Sequence, residues 1–220
     1  MNHTLAIVHV RPAGMALFAI VAFLLGSIPF GLVISRLFYR TDIRKSGSGN
    51  IGAMNALRTL GKTGAIAVLV LDAAKGVVPA ALVLGFLRDT HLAAIVAGCA
   101  VLGHCFSPWL RFKGGKGVAT SFGALFALSW PAGIASICGW LIGALSTTYS
   151  SVGSMLAHVV APIALWYFTR DAWLTGYGVF AMLLVFYTHR ENIARIRAGR
   201  ESGIPFLRRG AGRERQPPSG

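Results

Sequence analysis

The chain has 220 residues, of which 55% are hydrophobic and only 13% charged, and its mean hydropathy is +0.63. That profile excludes an ordinary soluble domain and fits an integral membrane protein. The 21 Lys and Arg against 7 Asp and Glu give a net charge of +14, but the basic residues lie between and after apolar spans, so no nucleic-acid partner is expected.

A bilayer core takes about 20 apolar residues per helix. In chain order, about seven spans are predicted, over residues 14–38, 64–86, 91–110, 118–130, 132–146, 152–168 and 172–188. The first is too long for a signal-peptide core and runs straight into a polar motif. Spans four and five are short and separated by Pro131, so a re-entrant pair is the alternative to two crossings there. The three cysteines, Cys99, Cys105 and Cys138, lack metal-site spacing and read as small buried hydrophobes. No cofactor or metal is expected.

Lys and Arg set the orientation. Sixteen of them fall in the loops after spans one and three and in the tail; three, Arg11, Arg88 and Arg170, fall on the other side. The N-terminus is therefore expected outside and the C-terminus in the cytoplasm, which requires an odd number of spans. The domain is expected over residues 1–202. Residues 203–220 form a basic tail, rich in Arg, Gly and Pro and expected to be disordered.

Three polar motifs end up on the basic side. Residues 45–58 read Lys-Ser-Gly-Ser-Gly-Asn-Ile-Gly-Ala-Met-Asn-Ala-Leu-Arg. Gly47, Gly49 and Gly52, with Ser48, Asn50 and Asn55, can fold into a nest of N–H donors for an anion, and Arg58 adds charge. A Walker A loop is excluded, because Ala56 replaces its glycine and no strand precedes it. Residues 112–120 read Phe-Lys-Gly-Gly-Lys-Gly-Val-Ala-Thr and open span four. Backbone amides at a helix start bind anions, so Gly114, Gly115, Gly117, Val118, Ala119 and Thr120 are candidate phosphate donors, with Lys113 and Lys116 as cations. Residues 189–195 read His-Arg-Glu-Asn-Ile-Ala-Arg, which places His189 and Asn192 on one helix face. Inside span two, Asp72 and Lys75 are expected to form a structural ion pair, because lone charges in a bilayer are costly. His104 is a further candidate beside the second motif.

At these residues the chain resembles the PlsY family of bacterial acyl-phosphate:glycerol-3-phosphate acyltransferases. The likeness covers roughly residues 14–202 and rests on four stretches: 47–58, Asp-x-x-Lys-Gly at 72–76, Gly-His at 103–104 with 112–120, and His-Arg-Glu-Asn-Ile at 189–193. Two positions depart from the family pattern. Met54 stands where Thr is usual, and Pro108 follows His104 by four residues instead of three. The resemblance implies seven spans and transfer of an acyl group from acyl phosphate to glycerol 3-phosphate, giving lysophosphatidate and phosphate, at the bacterial inner membrane. The implied partners are those two substrates, membrane lipids and an enzyme that produces acyl phosphate.

The residues suit that reaction. The Gly114–Thr120 amides are expected on the acyl phosphate. Ser48, Arg58 and Lys116 are expected on the phosphate of glycerol 3-phosphate, with His189 and Asn192 orienting it. There is no Gly-x-Ser-x-Gly elbow, and no histidine is followed by Asp at the fifth position, so positioning is favoured over covalent catalysis. The alternative is a transporter of an organic phosphate or other anion, which predicts internal repeats that the sequence lacks.

Overall fold

The computed structural model describes residues 11–205 and 207, and among these it contains helices and turns but no strand. The tail from 208 onward lies outside the described residues. The helices are α1 (Pro12–Gly26), α2 (Phe30–Tyr39), α3 (Ala53–Thr59), α4 (Gly61–Leu82), α5 (Thr90–Cys105), α6 (Val118–Leu128), α7 (Trp130–Thr147), α8 (Ser150–Thr169), α9 (Ala172–Thr188) and α10 (Arg190–Arg197). Only helices let a single chain segment satisfy its backbone in lipid, which is why the apolar spans take this form.

Among the described residues, five stretches are long and apolar enough to cross a membrane, and six if α9 and α10, bent by 54°, count as one. Two of the predicted spans, the first and the fourth, differ from the sequence expectation, and the fifth agrees with it. The first is broken at Ser27–Ile28–Pro29, because Pro29 has no N–H to continue the ladder. The fourth, α6, has 11 residues, about 16 Å of helix, and falls well short of a roughly 30 Å hydrocarbon core. The fifth, α7, has 18 residues and is long enough to cross. Of the cysteines, Cys105 is buried and Cys99 half-buried, but Cys138 is exposed on α7.

Lipid gives helices no hydrophobic reason to associate, so close backbone packing at small residues must supply it. The α4–α6 pair shows this. A side chain at Gly76 would strike the Thr120 carbonyl, and one at Gly123 would strike the Ala73 carbonyl. Gly26 and Gly103 do the same between α1 and α5, against Ala100 and Phe23. The first crossing brings the start of α6, where the second motif ends, against α4, and the second brings the end of α5, which carries His104, against α1.

Candidate active site

The first motif is a loop built around one side chain. After α2, Asp42 accepts the Arg44 N–H and pairs with Arg36 and Arg44 at 3.0 and 2.6 Å. Gly47 and Gly49 then turn the chain at φ +59° and +71°, where a Cβ is strained. Asn55, on α3 and 2% exposed, fills the centre. Its Nδ2 donates to the carbonyls of Ile43, Ser46 and Asn50, and its Oδ1 accepts the Ser48 N–H at 2.8 Å. Asn55 is therefore a peg that shapes the loop, and its hydrogen-bonding groups are engaged before any ligand arrives. Asn50 closes the end of the loop by accepting the Gly52 N–H.

The second motif folds differently. Gly114 and Gly115 donate their N–H groups to the carbonyls of Cys105 and His104, both at 3.0 Å. This corrects the expectation that these two amides cradle phosphate: they fasten the loop to the end of α5. A Cβ at Gly115 would collide with the His104 ring, so the glycine is needed for close approach. Gly117, at φ +81°, starts α6, and the first helical bond runs from the Ser121 N–H to Gly117 O at 2.8 Å. The amides of Val118, Ala119 and Thr120 precede that bond and form the positive end of the helix.

The third motif sits at the bend between α9 and α10. The Nδ1 of His189 bonds the Val185 carbonyl at 2.8 Å, leaving Nε2 available to a substrate. Asn192 accepts from Lys116 Nζ and donates to Glu201. Glu201 also accepts from Ser151 and Arg195, both at 2.8 Å. The segment after α10 thus returns across the site. Arg58 Nη2 donates to the carbonyls of Ser202 and Gly203 at 3.3 Å, and the buried Ile204 bonds Thr148 O at 2.8 Å. Arg58 Nε and Nη1 make no hydrogen bond among the described residues. Sequence reading missed Glu201, Arg195 and Ser151. Glu201 signalled only as an acidic residue in an arginine-rich stretch, Arg195 only as the last residue of the third motif, and Ser151 not at all.

One cavity of about 870 Å³ collects these motifs. Ser48, Arg58, Lys116, His189 and Asn192 all line it, as do Gly47, Asn50, Gly52, Asn55, His104, Gly117, Val118 and Ala119. Gly49, Lys113, Gly114, Gly115 and Thr120 do not. Lys113 and Gly49 are exposed, and Thr120 is packed against Gly76. Met54, the departure from the family pattern, does line the cavity. Leu69, Phe122, Ile137, Trp140 and Leu141 give the cavity an apolar wall.

The polar end is electropositive. Arg58, Lys62, Lys116 and Arg195 line it with Glu201, while Asp72 is paired with Lys75 at 2.9 Å, as expected. Burial and then the Arg195 charge push Lys116 down to about 8, with Glu201 pulling the other way. Burial raises Glu201, but hydrogen bonds from Asn192, Arg195 and Ser151 outweigh it and hold the carboxyl below its ordinary value. Burial lowers Arg58, which stays charged near neutral pH. The arrangement can hold a multiply charged anion at one end and an apolar chain at the other.

A glycerol-3-phosphate acyltransferase family model matches residues 16–199. A glycerol-3-phosphate acyltransferase of Bradyrhizobium diazoefficiens is 48% identical over 186 residues, 84% of this chain and 92% of the relative. One of Dinoroseobacter shibae is 44% identical over 198 residues, 90% of this chain and 97% of the relative. Crystal structures of PlsY, an integral membrane glycerol 3-phosphate acyltransferase, also match. Its glycerol 3-phosphate form is 38% identical with a TM-score of 0.82, over 88% of this chain and 96% of that one. Its lysophosphatidic acid form is 36% identical with a TM-score of 0.79, over 86% and 94%.

Proposed function

The chain belongs to the glycerol-3-phosphate acyltransferase family, and from that membership we propose that it moves a fatty acyl group from acyl phosphate to the 1-hydroxyl of glycerol 3-phosphate. The products are lysophosphatidate and inorganic phosphate. An acyltransferase is favoured over the anion transporter by relatives that carry that name and by solved neighbours in glycerol 3-phosphate and lysophosphatidic acid forms.

One observation carries the reading: a single cavity joins a cationic end to an apolar wall. Both the donor and the product have that shape, a phosphate head on an acyl chain. Arg58 and Lys116 hold substrate phosphate by charge-assisted hydrogen bonds. The Val118 and Ala119 amides add the helix dipole at the same end. Ser48 stands at the rim as a further ligand. His189 Nε2 and Asn192 orient the glycerol hydroxyl. The hydroxyl oxygen attacks the acyl carbon, the acyl–phosphate bond breaks, and the proton leaves on phosphate. Phosphate is already a good leaving group, so placement and positive charge supply most of the help the reaction needs.

The lysine and arginine asymmetry supports a cytoplasmic active site in the bacterial inner membrane, with the N-terminus outside. Acyl phosphate is a labile mixed anhydride, so an enzyme that makes it nearby is the partner this chemistry calls for. Purified protein given glycerol 3-phosphate and, in parallel, acyl phosphate, acyl-CoA or an acyl carrier protein thioester tests the donor. Only acyl phosphate is expected to yield lysophosphatidate. Equal turnover of either thioester would overturn the donor assignment.

A further inference from the structure

Below the phosphate-binding end lies a buried polar cluster that the reaction as described does not use. Asp72, Lys75 and His104 are 1%, 6% and 3% exposed. Charged groups inside a bilayer are kept only where something requires them. Lys75 is accounted for: its Nζ bonds Asp72 Oδ1 at 2.9 Å and the Ile28 carbonyl at 2.8 Å, at the break in the first span. Helix pairing alone would need nothing more. Yet a third polar group, His104, faces the same carboxylate, with Nδ1 at 3.6 Å from Asp72 Oδ1. Both His104 and Asp72 also line the cavity that holds Lys116.

The other side of the imidazole explains it. A Cβ at Gly115 would meet His104 Nε2 first and then the adjoining ring carbons, so the backbone at 115 rests directly on the ring. The Gly115 N–H bonds the carbonyl of the same residue, His104, and the Gly114 N–H bonds Cys105 O. The loop is thus held to the end of α5 by two hydrogen bonds and seated on one side chain. The next residue is Lys116, whose ammonium reaches Asn192.

We propose that His104 is a positioning residue for the acyl transfer: its ring, facing Asp72 on one side, is on the other the seat for Gly115 and so fixes the place of Lys116. The chain of contact runs from Ile28 in the broken first span through Lys75, Asp72 and His104 to the loop. The imidazole touches no reacting atom. This inference rests on the acyltransferase reading for its kinetic consequence, but the seat itself is a geometric claim with its own readout.

The test is a double-variant cycle on purified full-length protein, with Gly115→Ala, His104→Ala and the pair combined. Gel filtration in detergent and thermal unfolding establish that each variant is folded. Gly115→Ala puts a methyl into the ring and should raise KM for the phosphorylated substrates at least tenfold, with kcat changed less than threefold. His104→Ala should raise KM by a similar factor. In the pair, the methyl enters the space the ring has left, so KM should stay within threefold of His104→Ala alone. His104→Asn keeps a polar group towards Asp72, removes the far side of the ring and gives the same cycle with a smaller packing loss.

The same cycle read in the Kd for inorganic phosphate, by calorimetry, needs no acyl donor. Effects that multiply in the pair would overturn the seat, because the two positions would then act independently. Loss of kcat with KM unchanged in His104→Ala would also overturn it, making the ring a catalytic group. Wild-type protein that binds phosphate but makes no lysophosphatidate from acyl phosphate contradicts the functional reading, while the phosphate cycle still decides the seat.

Discussion

The two glycine-rich loops look alike in sequence and are built on different physics. In the loop before Arg58, glycine is a turn residue: Gly47 and Gly49 lie at positive φ, and the loop takes its shape from the Asn55 side chain at its centre. In the loop around Lys116, Gly114 and Gly115 serve close approach to α5 and the His104 ring, and of its glycines Gly117 alone lies at positive φ. A glycine-rich basic stretch therefore marks a place where backbone must come near something. In the second loop the nearest partner proves to be the protein itself, and it is Lys116 and the helix end behind it that line the cavity.

Breaking the first loop should cost most. Asn55→Ala removes four hydrogen bonds from a buried position, leaving the Asn50 carbonyl and the Ser48 N–H without a partner among the described residues while Ile43 O and Ser46 O keep one backbone bond each, a loss of about 3 kcal/mol and a fall in activity on the order of a hundredfold. Steady-state kinetics on the folded fraction check this. Retention of a tenth of wild-type activity would mean the loop is shaped elsewhere.

Next comes Arg58, which lines the cavity and also holds the Ser202 and Gly203 carbonyls. Arg58→Ala should raise KM for glycerol 3-phosphate about thirtyfold, the equivalent of roughly 2 kcal/mol for a charge-assisted phosphate contact. Wild-type kinetics across the glycerol 3-phosphate range would remove Arg58 from the phosphate site.

The second loop is sharpened by pH. Lys116 is pushed down to about 8, so in its proposed role it offers phosphate a cation below that pH and loses its proton above it. KM should be flat below pH 8 and rise above it, approaching tenfold per unit. In Lys116→Arg the guanidinium keeps its charge, and the rise should vanish whatever the absolute KM. An unchanged alkaline limb in that variant would assign the titration to another group.

The smallest effect belongs to Gly49, which is exposed and outside the cavity. At φ +71°, with Arg44 O 3.2 Å from the added Cβ, Gly49→Ala should cost about 1 kcal/mol of stability. Thermal unfolding should show a shift of a few degrees, with kinetics within twofold of wild type.

Much of this was legible in the sequence, for reasons that can be named. The spans were visible because lipid demands long apolar runs, and the cationic residues because phosphate demands charge. The Asp72–Lys75 pair followed from the cost of an unpaired intramembrane charge, and it forms at 2.9 Å. The break at Pro29 was hidden inside a run that stays apolar on both sides of it. The shortness of α6 was hinted at by Pro131, but where the helix ends depends on packing against α4. Tertiary contact decided the rest. Whether Gly115 offers its amide to phosphate or to His104 O turns on a neighbour eleven residues back, and Glu201 reaches Asn192 only because the chain after α10 folds over the site.

The most direct measurement is a crystal structure of the protein with a non-hydrolysable acyl phosphate analogue of the phosphonate type. The phosphonate oxygens are expected within hydrogen-bond distance of Lys116 Nζ and the Val118 or Ala119 amides, with the acyl chain running along Leu69, Phe122 and Trp140. A phosphonate bound instead at Lys113 and the Gly114–Gly115 amides, with its chain outside the cavity, would contradict the account.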